Sequence, residues 1–266
     1  MLLVLKKTLL GHRLALLLMG LGLAALEVLL PTTYTALGSD RGDLLSQMPR
    51  GFQALLKTGG DLTPLLGAEG YLAVGYRHPI YLVVIAAFAI ASTSSLAREV
   101  ERGTVFLLLA RPFPRYQLVL AQGSELLLGL LVLLVAALGG MAFGVAITDM
   151  EESIRLGRFV LVSLNALLLY LAIGGYALLF SSISSEGSRA IALSTGLTVA
   201  FFFVDFASEL WEPLEFLGPW SLFHYYNPAA IVQSGTVAWE HALALSGVAL
   251  ACFTAAVLAF QQRDIP

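Results

Sequence analysis

Six apolar runs divide this chain, and each is long enough to dictate its own backbone geometry. They cover Leu14–Leu30, Pro79–Ala97, Gln117–Ile147, Phe159–Phe180, Ala190–Phe206 and Ala242–Phe260. A helix needs roughly 20 apolar residues to cross a hydrocarbon core ~30 Å thick. Inside lipid the peptide N–H and C=O groups have no water to bond, so each run must be helical. A membrane β-barrel would instead need segments of about 10 residues with alternating polarity. These runs are continuous, so the expected class is all-α, a polytopic membrane protein with six transmembrane helices in one domain over residues 1–266. The third run exceeds the length of one span, so Gly139-Gly140 is expected to bend it, or its end to project beyond the bilayer.

Composition agrees and excludes several function classes. The 266 residues are 58% hydrophobic and only 12% charged, whereas soluble domains carry about 25% charged residues. A net charge of −3 gives no basis for a nucleic-acid partner. The single cysteine, Cys252, permits no intramolecular disulfide and has no zinc-ligand spacing, so it reads as a packing residue. His12, His78, His224 and His241 are scattered along the sequence, and no metal site is expected. The chain has no His-Glu-x-x-His, no Gly-x-Ser-x-Gly and no Walker-type glycine-rich loop. It is therefore not expected to be catalytic by itself or to bind a cofactor.

The polar segments set the orientation. Residues 1–13 carry Lys6, Lys7, His12 and Arg13 among apolar residues and read as an N-terminal interfacial helix leading into the first span. The run that follows exceeds the ~7–15 apolar residues of a secretory leader. With the N-terminus inside, Lys6, Lys7, Arg13, Arg98, Arg102, Arg111, Arg115, Arg189 and Arg263 are cytoplasmic, nine of the fifteen basic residues. Asp149, Glu151, Glu152, Glu209, Glu212 and Glu215 fall outside. Both termini are then cytoplasmic. The loop from Thr32 to His78 holds apolar residues at weakly helical spacing from Leu44 to Leu56, interrupted by Pro49, and reads as a small amphipathic cap on the outer face. Residues 207–241 are rich in Trp and Tyr and broken by Pro213, Pro219 and Pro228, which predicts short interfacial or re-entrant helices before the last span.

Ionisable groups within spans are expensive and mark functional sites by default. Glu125, in the third span, is the leading candidate for a translocation path, with Asn165 and Tyr170 of the fourth span as further candidates. Such groups also serve as hydrogen bonds between helices. Glu27 and Asp205 lie near outer ends of spans.

The most charged interruption runs from Arg98 to Arg115, with four arginines and two glutamates. Its first half suits a short amphipathic helix, Gly103 weakens that helix, and Pro112 and Pro114 stop it. The order Glu99-x-Glu101-x-Gly103-Thr104, followed by Leu-Leu-Ala-Arg111-Pro112 and Arg115 between the second and third runs, resembles the cytoplasmic loop of type-2 ABC exporter permeases (the ABC-2 membrane family). Ser181–Arg189 and Tyr225–Pro228 are similar to further stretches of the same family.

The resemblance implies a permease in the cell (inner or plasma) membrane. Its cytoplasmic coupling helix would dock on a separate ATPase subunit through Glu99, Glu101, Arg102, Gly103 and Thr104. It further implies two copies of the ATP-binding subunit, which hold the ATP and Mg, and a second permease copy or homologue, all within a lipid bilayer. The alternatives from other classes are an ATP-independent secondary transporter or channel, and a membrane scaffold. The residues do not name a substrate.

Overall fold

The computed structural model describes residues 2–38, 47, 49, 51, 63–103, 114–148, 150 and 152–263, with backbone only for 2–12 and 64. Among these residues every regular element is helical. Six helices are long and apolar enough to cross a membrane. In chain order the α-helices are α1 (Leu2–Leu37), α2 (Ala68–Arg77), α3 (Pro79–Thr93), α4 (Ser95–Glu101), α5 (Tyr116–Ile147), α6 (Leu156–Ile183), α7 (Gly187–Leu210), α8 (Pro228–Ser234) and α9 (Trp239–Gln262). A single turn, Thr63–Leu66, precedes α2, and two 3₁₀ segments, Glu212–Trp220 and Leu222–Tyr225, lie between α7 and α8. The spans are α1, α3 with α4, α5, α6, α7 and α9.

Each span extends beyond its apolar run. Helix α6 begins at Leu156 and ends at Ile183, and α7 runs from Gly187 to Leu210. The polar residues added at each end still satisfy helical hydrogen bonds, so hydropathy marks the lipid-facing middle and not the helix ends. The first span departs most, continuing through Pro31 to Leu37. Thr32, Thr33 and Thr35 return their hydroxyls to carbonyls three and four residues earlier, which keeps this last stretch bonded. The interfacial piece expected at residues 1–13 is the unbroken beginning of the same helix.

Two helix pairs frame the bundle, and both are parallel. A Cβ on Gly140 would fall 2.4 Å from the Ala24 carbonyl oxygen, and one on Gly144 would fall 3.0 Å from the Cα of Val28. Residue numbers rise together in steps of four, so α1 and α5 run in one direction with their backbones nearly touching. Only glycine permits that approach at Gly140. The Gly139-Gly140 pair therefore seats a neighbour, and α5 is unbroken across it. Helices α6 and α9 form the second pair, with Gly175 against Ala249 and Cys252. The second span sits innermost: 67% of its most apolar window is buried, against 22% for α7 and for α9.

Helix α2 lies within the segment Thr32–His78, which the hydropathy pattern marks as a loop. Seven of its ten residues are buried. It caps one end of the bundle against α1 and α8. Residues 44–56, expected to form the amphipathic cap, lie almost wholly outside the described residues. The region after α7 follows expectation, with short pieces broken by proline. Trp211, Phe216, Trp220 and Trp239 are 61–75% exposed there, as an aromatic belt requires.

Candidate docking end of the bundle

At one end of the bundle the second span breaks. Helix α3 stops at Thr93, Ser94 forms a turn, and α4 restarts for seven residues. A helix break strands backbone groups that must find partners when buried. Gln122 of α5 supplies them. Its side-chain oxygen accepts from the Leu96 N–H at 3.0 Å and the Ser95 hydroxyl at 2.7 Å, and its nitrogen donates to the Thr93 carbonyl at 3.0 Å. The Ala97 N–H donates to the Ser181 Oγ of α6 at 2.9 Å. Arg98 donates to the Ala91 carbonyl at 2.9 Å, bridging the break from below. Nothing in the sequence analysis singles out Gln122; the available signal is an amide one turn before Glu125, the second of two in the helix after Gln117.

Beyond the break the charged turn projects from the bundle. Glu101 and Arg102 are exposed and Glu99 is half-buried. Gly103 has φ +67°, a left-handed conformation that side chains with a Cβ adopt at a cost, so the glycine redirects the chain as it leaves α4. The Glu101 carboxylate accepts from the Gly187 N–H of α7 at 2.9 Å. Thr104, the fifth residue expected to dock, lies outside the described residues.

The turn between α6 and α7 sits beside α4. Arg263, just past α9, donates to the carbonyls of Ser182 at 3.0 Å and Ser184 at 2.8 Å, and to Ser185 Oγ at 3.1 Å. Arg115, just before α5, donates to the Arg263 carbonyl at 2.6 Å. The ends of five spans thus meet in one hydrogen-bonded layer, with Arg102, Ser185, Glu186 and Arg189 exposed on top.

The three residues expected to line a path are all buried: Glu125 and Asn165 at 1% exposure and Tyr170 at 0%. They occupy different depths. Glu125 lies about 14 Å along α5 from the α4 end, Asn165 about 14 Å along α6 from the opposite end, and Tyr170 near mid-membrane (~1.5 Å per residue). The Tyr170 hydroxyl donates to the Leu82 carbonyl at 3.4 Å.

The opposite end, under α2, closes on itself. Arg77 pairs with Asp205 of α7 at 2.5 Å and donates to the Tyr226 carbonyl at 3.2 Å. Both side chains of the pair are buried. Glu69 receives a two-pronged contact from Arg155 and a further hydrogen bond from Arg158. Glu152 accepts from the Tyr34 hydroxyl at 2.8 Å and from the Ala68 N–H that opens α2 at 3.0 Å. A shallow cleft lies between Glu69, Glu152, Arg155, Arg158 and Gln233. Among the described residues no group of three His, Cys, Asp or Glu side chains is placed to hold a metal ion.

The comparisons with known proteins agree with this architecture. No curated protein and no solved structure matches the chain. A family model described as ABC-2 family transporter protein matches residues 14–265. Nearly the whole chain, from the first span to just past the last, falls inside that match. With six membrane-length helices beneath it, this multi-pass membrane protein belongs to the ABC-2 transporter family and is a permease subunit of an ABC transporter.

Proposed function

We infer that the subunit couples ATP hydrolysis by a separate ATP-binding subunit to export of a substrate, and that the α4 end is where the two subunits meet. The observation that carries this reading is the broken second span. Its terminal turn is pushed out as an exposed, charged projection, yet it is tied by Gln122, Ser181 and Gly187 to three other spans. A force applied there is shared by the bundle. Glu99, Arg102 and Gly103 supply the outward polar surface, and Glu101 shares its carboxylate with α7.

Charge supports placing the α4 end in the cytoplasm. Arg98, Arg102, Arg115, Arg189 and Arg263 gather there, as the positive-inside bias requires. At the α2 end, Arg77, Arg155 and Arg158 are each engaged by a carboxylate. In this reading both termini are cytoplasmic and the bilayer is the cell membrane. ATP and Mg belong to the partner, and the working assembly holds two permeases and two ATP-binding subunits. Glu125, Asn165 and Tyr170 are proposed to act from inside one protomer, by holding helices together or by lining a path that opens as they move.

The test is a gentle purification of the tagged full-length chain with mass spectrometry of what accompanies it. A stoichiometric ATP-binding subunit, reduced at least tenfold in Glu99→Lys/Arg102→Glu, is the expected result. A homogeneous preparation without such a subunit, still active in transport without ATP, would favour a secondary transporter and overturn the reading.

A further inference from the structure

Helix α7 is a long span that does not cap itself. Its N-cap residue is Glu186, whose side chain makes no capping hydrogen bond. The first N–H of the helix, from Gly187, is met instead by the carboxylate of Glu101, a residue 86 positions earlier on α4. A carboxylate at this place satisfies one of the four amides that a helix start leaves open and complements the positive end of the helix dipole. The contact is also tight in the other direction. A Cβ on Gly187 would fall 2.2 Å from Arg98 Cγ, so the stem of Arg98 lies against the α7 backbone. The same turn is gripped on its other side by Arg263, whose guanidinium meets the last carbonyls of α6. The α6–α7 turn is therefore held by an anion on the helix it begins and a cation on the helix it ends.

Between its two ends α7 is tied by Thr198 to the Tyr176 hydroxyl of α6 and by Ser221 Oγ, which donates to the Phe201 carbonyl. With α9 it is the least buried of the six spans. Its second charged contact is Asp205, 18 residues further on and about 27 Å away along a rigid helix. Asp205 pairs with Arg77 at the end of α2. One helix thus joins the exposed turn at the α4 end to the cap at the α2 end, with an acid–base or charge-assisted contact at each.

From this connection we propose that Glu101 is a positioning residue, the latch through which displacement of α4 is passed to α7 and on to the Arg77–Asp205 pair. The proposal rests on the reading that α4 receives the ATP-binding subunit, and it assigns Glu101 a role distinct from docking. When α4 tilts, the Glu101–Gly187 hydrogen bond and the Arg98 stem draw the start of α7 with it. Because α7 is one unbroken helix with most of its surface outside the core, the motion appears at its far end.

The test uses the full complex of permease and ATP-binding subunit in lipid nanodiscs, followed by hydrogen–deuterium exchange with and without ATP and vanadate. In the wild type, nucleotide is expected to change exchange in peptides covering both residues 187–193 and 203–210. In Glu101→Ala the ATP-binding subunit is retained and the first α7 amides exchange about tenfold faster at rest, the loss expected for a charge-assisted cap. The nucleotide response at 203–210 disappears. Glu101→Gln, whose side-chain oxygen still accepts the Gly187 N–H, recovers part of that response, and it carries the comparison if the alanine variant does not accumulate. A merely structural role for Glu101 would not produce this graded response to nucleotide. A Glu101→Ala complex that keeps the wild-type response at 203–210 overturns the latch. Loss of the ATP-binding subunit from that variant also overturns it, by making Glu101 a docking contact, and leaves the functional reading standing. Absence of the subunit from the wild-type complex removes that reading and the latch with it.

Discussion

The two ends of the bundle solve the same problem by different means. At the α2 end, charged side chains pair with one another: Arg77 with Asp205 inside the protein, and Glu69 with Arg155 and Arg158 nearer its surface. At the α4 end, single side chains serve backbone groups: Gln122 at the helix break, Ser181 at the Ala97 N–H, Glu101 at the start of α7 and Arg263 at the end of α6. The first arrangement pairs these charges with one another. The second satisfies the backbone and leaves a layer of charge facing out. A cap held by ion pairs and a socket held by side-chain-to-backbone bonds are the physical consequences, and the socket keeps Arg102, Glu186 and Arg189 exposed.

The comparison breaks first at Asp205. Burying two charges is costly, and removing one partner leaves the other without its compensating charge. Asp205→Leu is expected to destabilise the subunit by about 3–5 kcal/mol, read as a fall in the thermal unfolding midpoint in detergent. The double variant Arg77→Met/Asp205→Leu should recover most of that loss, because the desolvation cost goes with the pair. If Asp205→Leu unfolds at the wild-type temperature, the cap is not held by its internal charges and the contrast fails.

A smaller and more local effect is expected at the opposite end. Gln122→Leu keeps side-chain bulk but strips the partners from the Leu96 N–H and the Thr93 carbonyl, at about 1–3 kcal/mol. The change should appear as faster hydrogen exchange across residues 93–98, with the α2 end unaltered. Equal acceleration at both ends would show that the two regions open together.

These contacts explain which parts of the structure were legible in the sequence. The six spans were, because lipid leaves a long apolar run one backbone solution. The charged turn from Arg98 to Gly103 was also legible, but the helix break at Ser94 was not, because it falls inside the run Pro79–Ala97. Neither was its internal support. Gln122 is one of two amides near the start of an apolar helix, and its backbone partners belong to residues nearly 30 positions away. Helix α2 escaped for a related reason. Ala68–Arg77 is too short and too polar to stand out as a span, and its burial depends on α1 and α8 lying over it. The pairing of Arg77 with Asp205, 128 residues apart, has no local signal at all. Gly139-Gly140 was visible as a pair, but whether it bends a helix or seats a neighbour is decided by Ala24 on another span.

The smallest effect sharpens the comparison through pH. Burial pushes the Glu69 carboxyl up, but the Arg155 side-chain and backbone hydrogen bonds, with the charges of Arg155 and Arg158, outweigh it and hold the group below the ordinary carboxylate range. A depressed value in the folded state means the folded protein binds fewer protons than the unfolded chain. The contribution of this contact is therefore complete above the unfolded value of about 4.3 and is lost as pH falls through the lower folded value. Arg155 is 63% exposed, so solvent screens the pair, and its worth is below about 1 kcal/mol. Wild type should exceed Glu69→Gln in unfolding midpoint by a small, constant margin from pH 8 to about 5, narrowing below about 4. Added salt should narrow it at every pH. A margin that instead widens in acid would mean that the neutral carboxyl is the favoured form, and would move Glu69 from the paired charges of the cap to a buried acid.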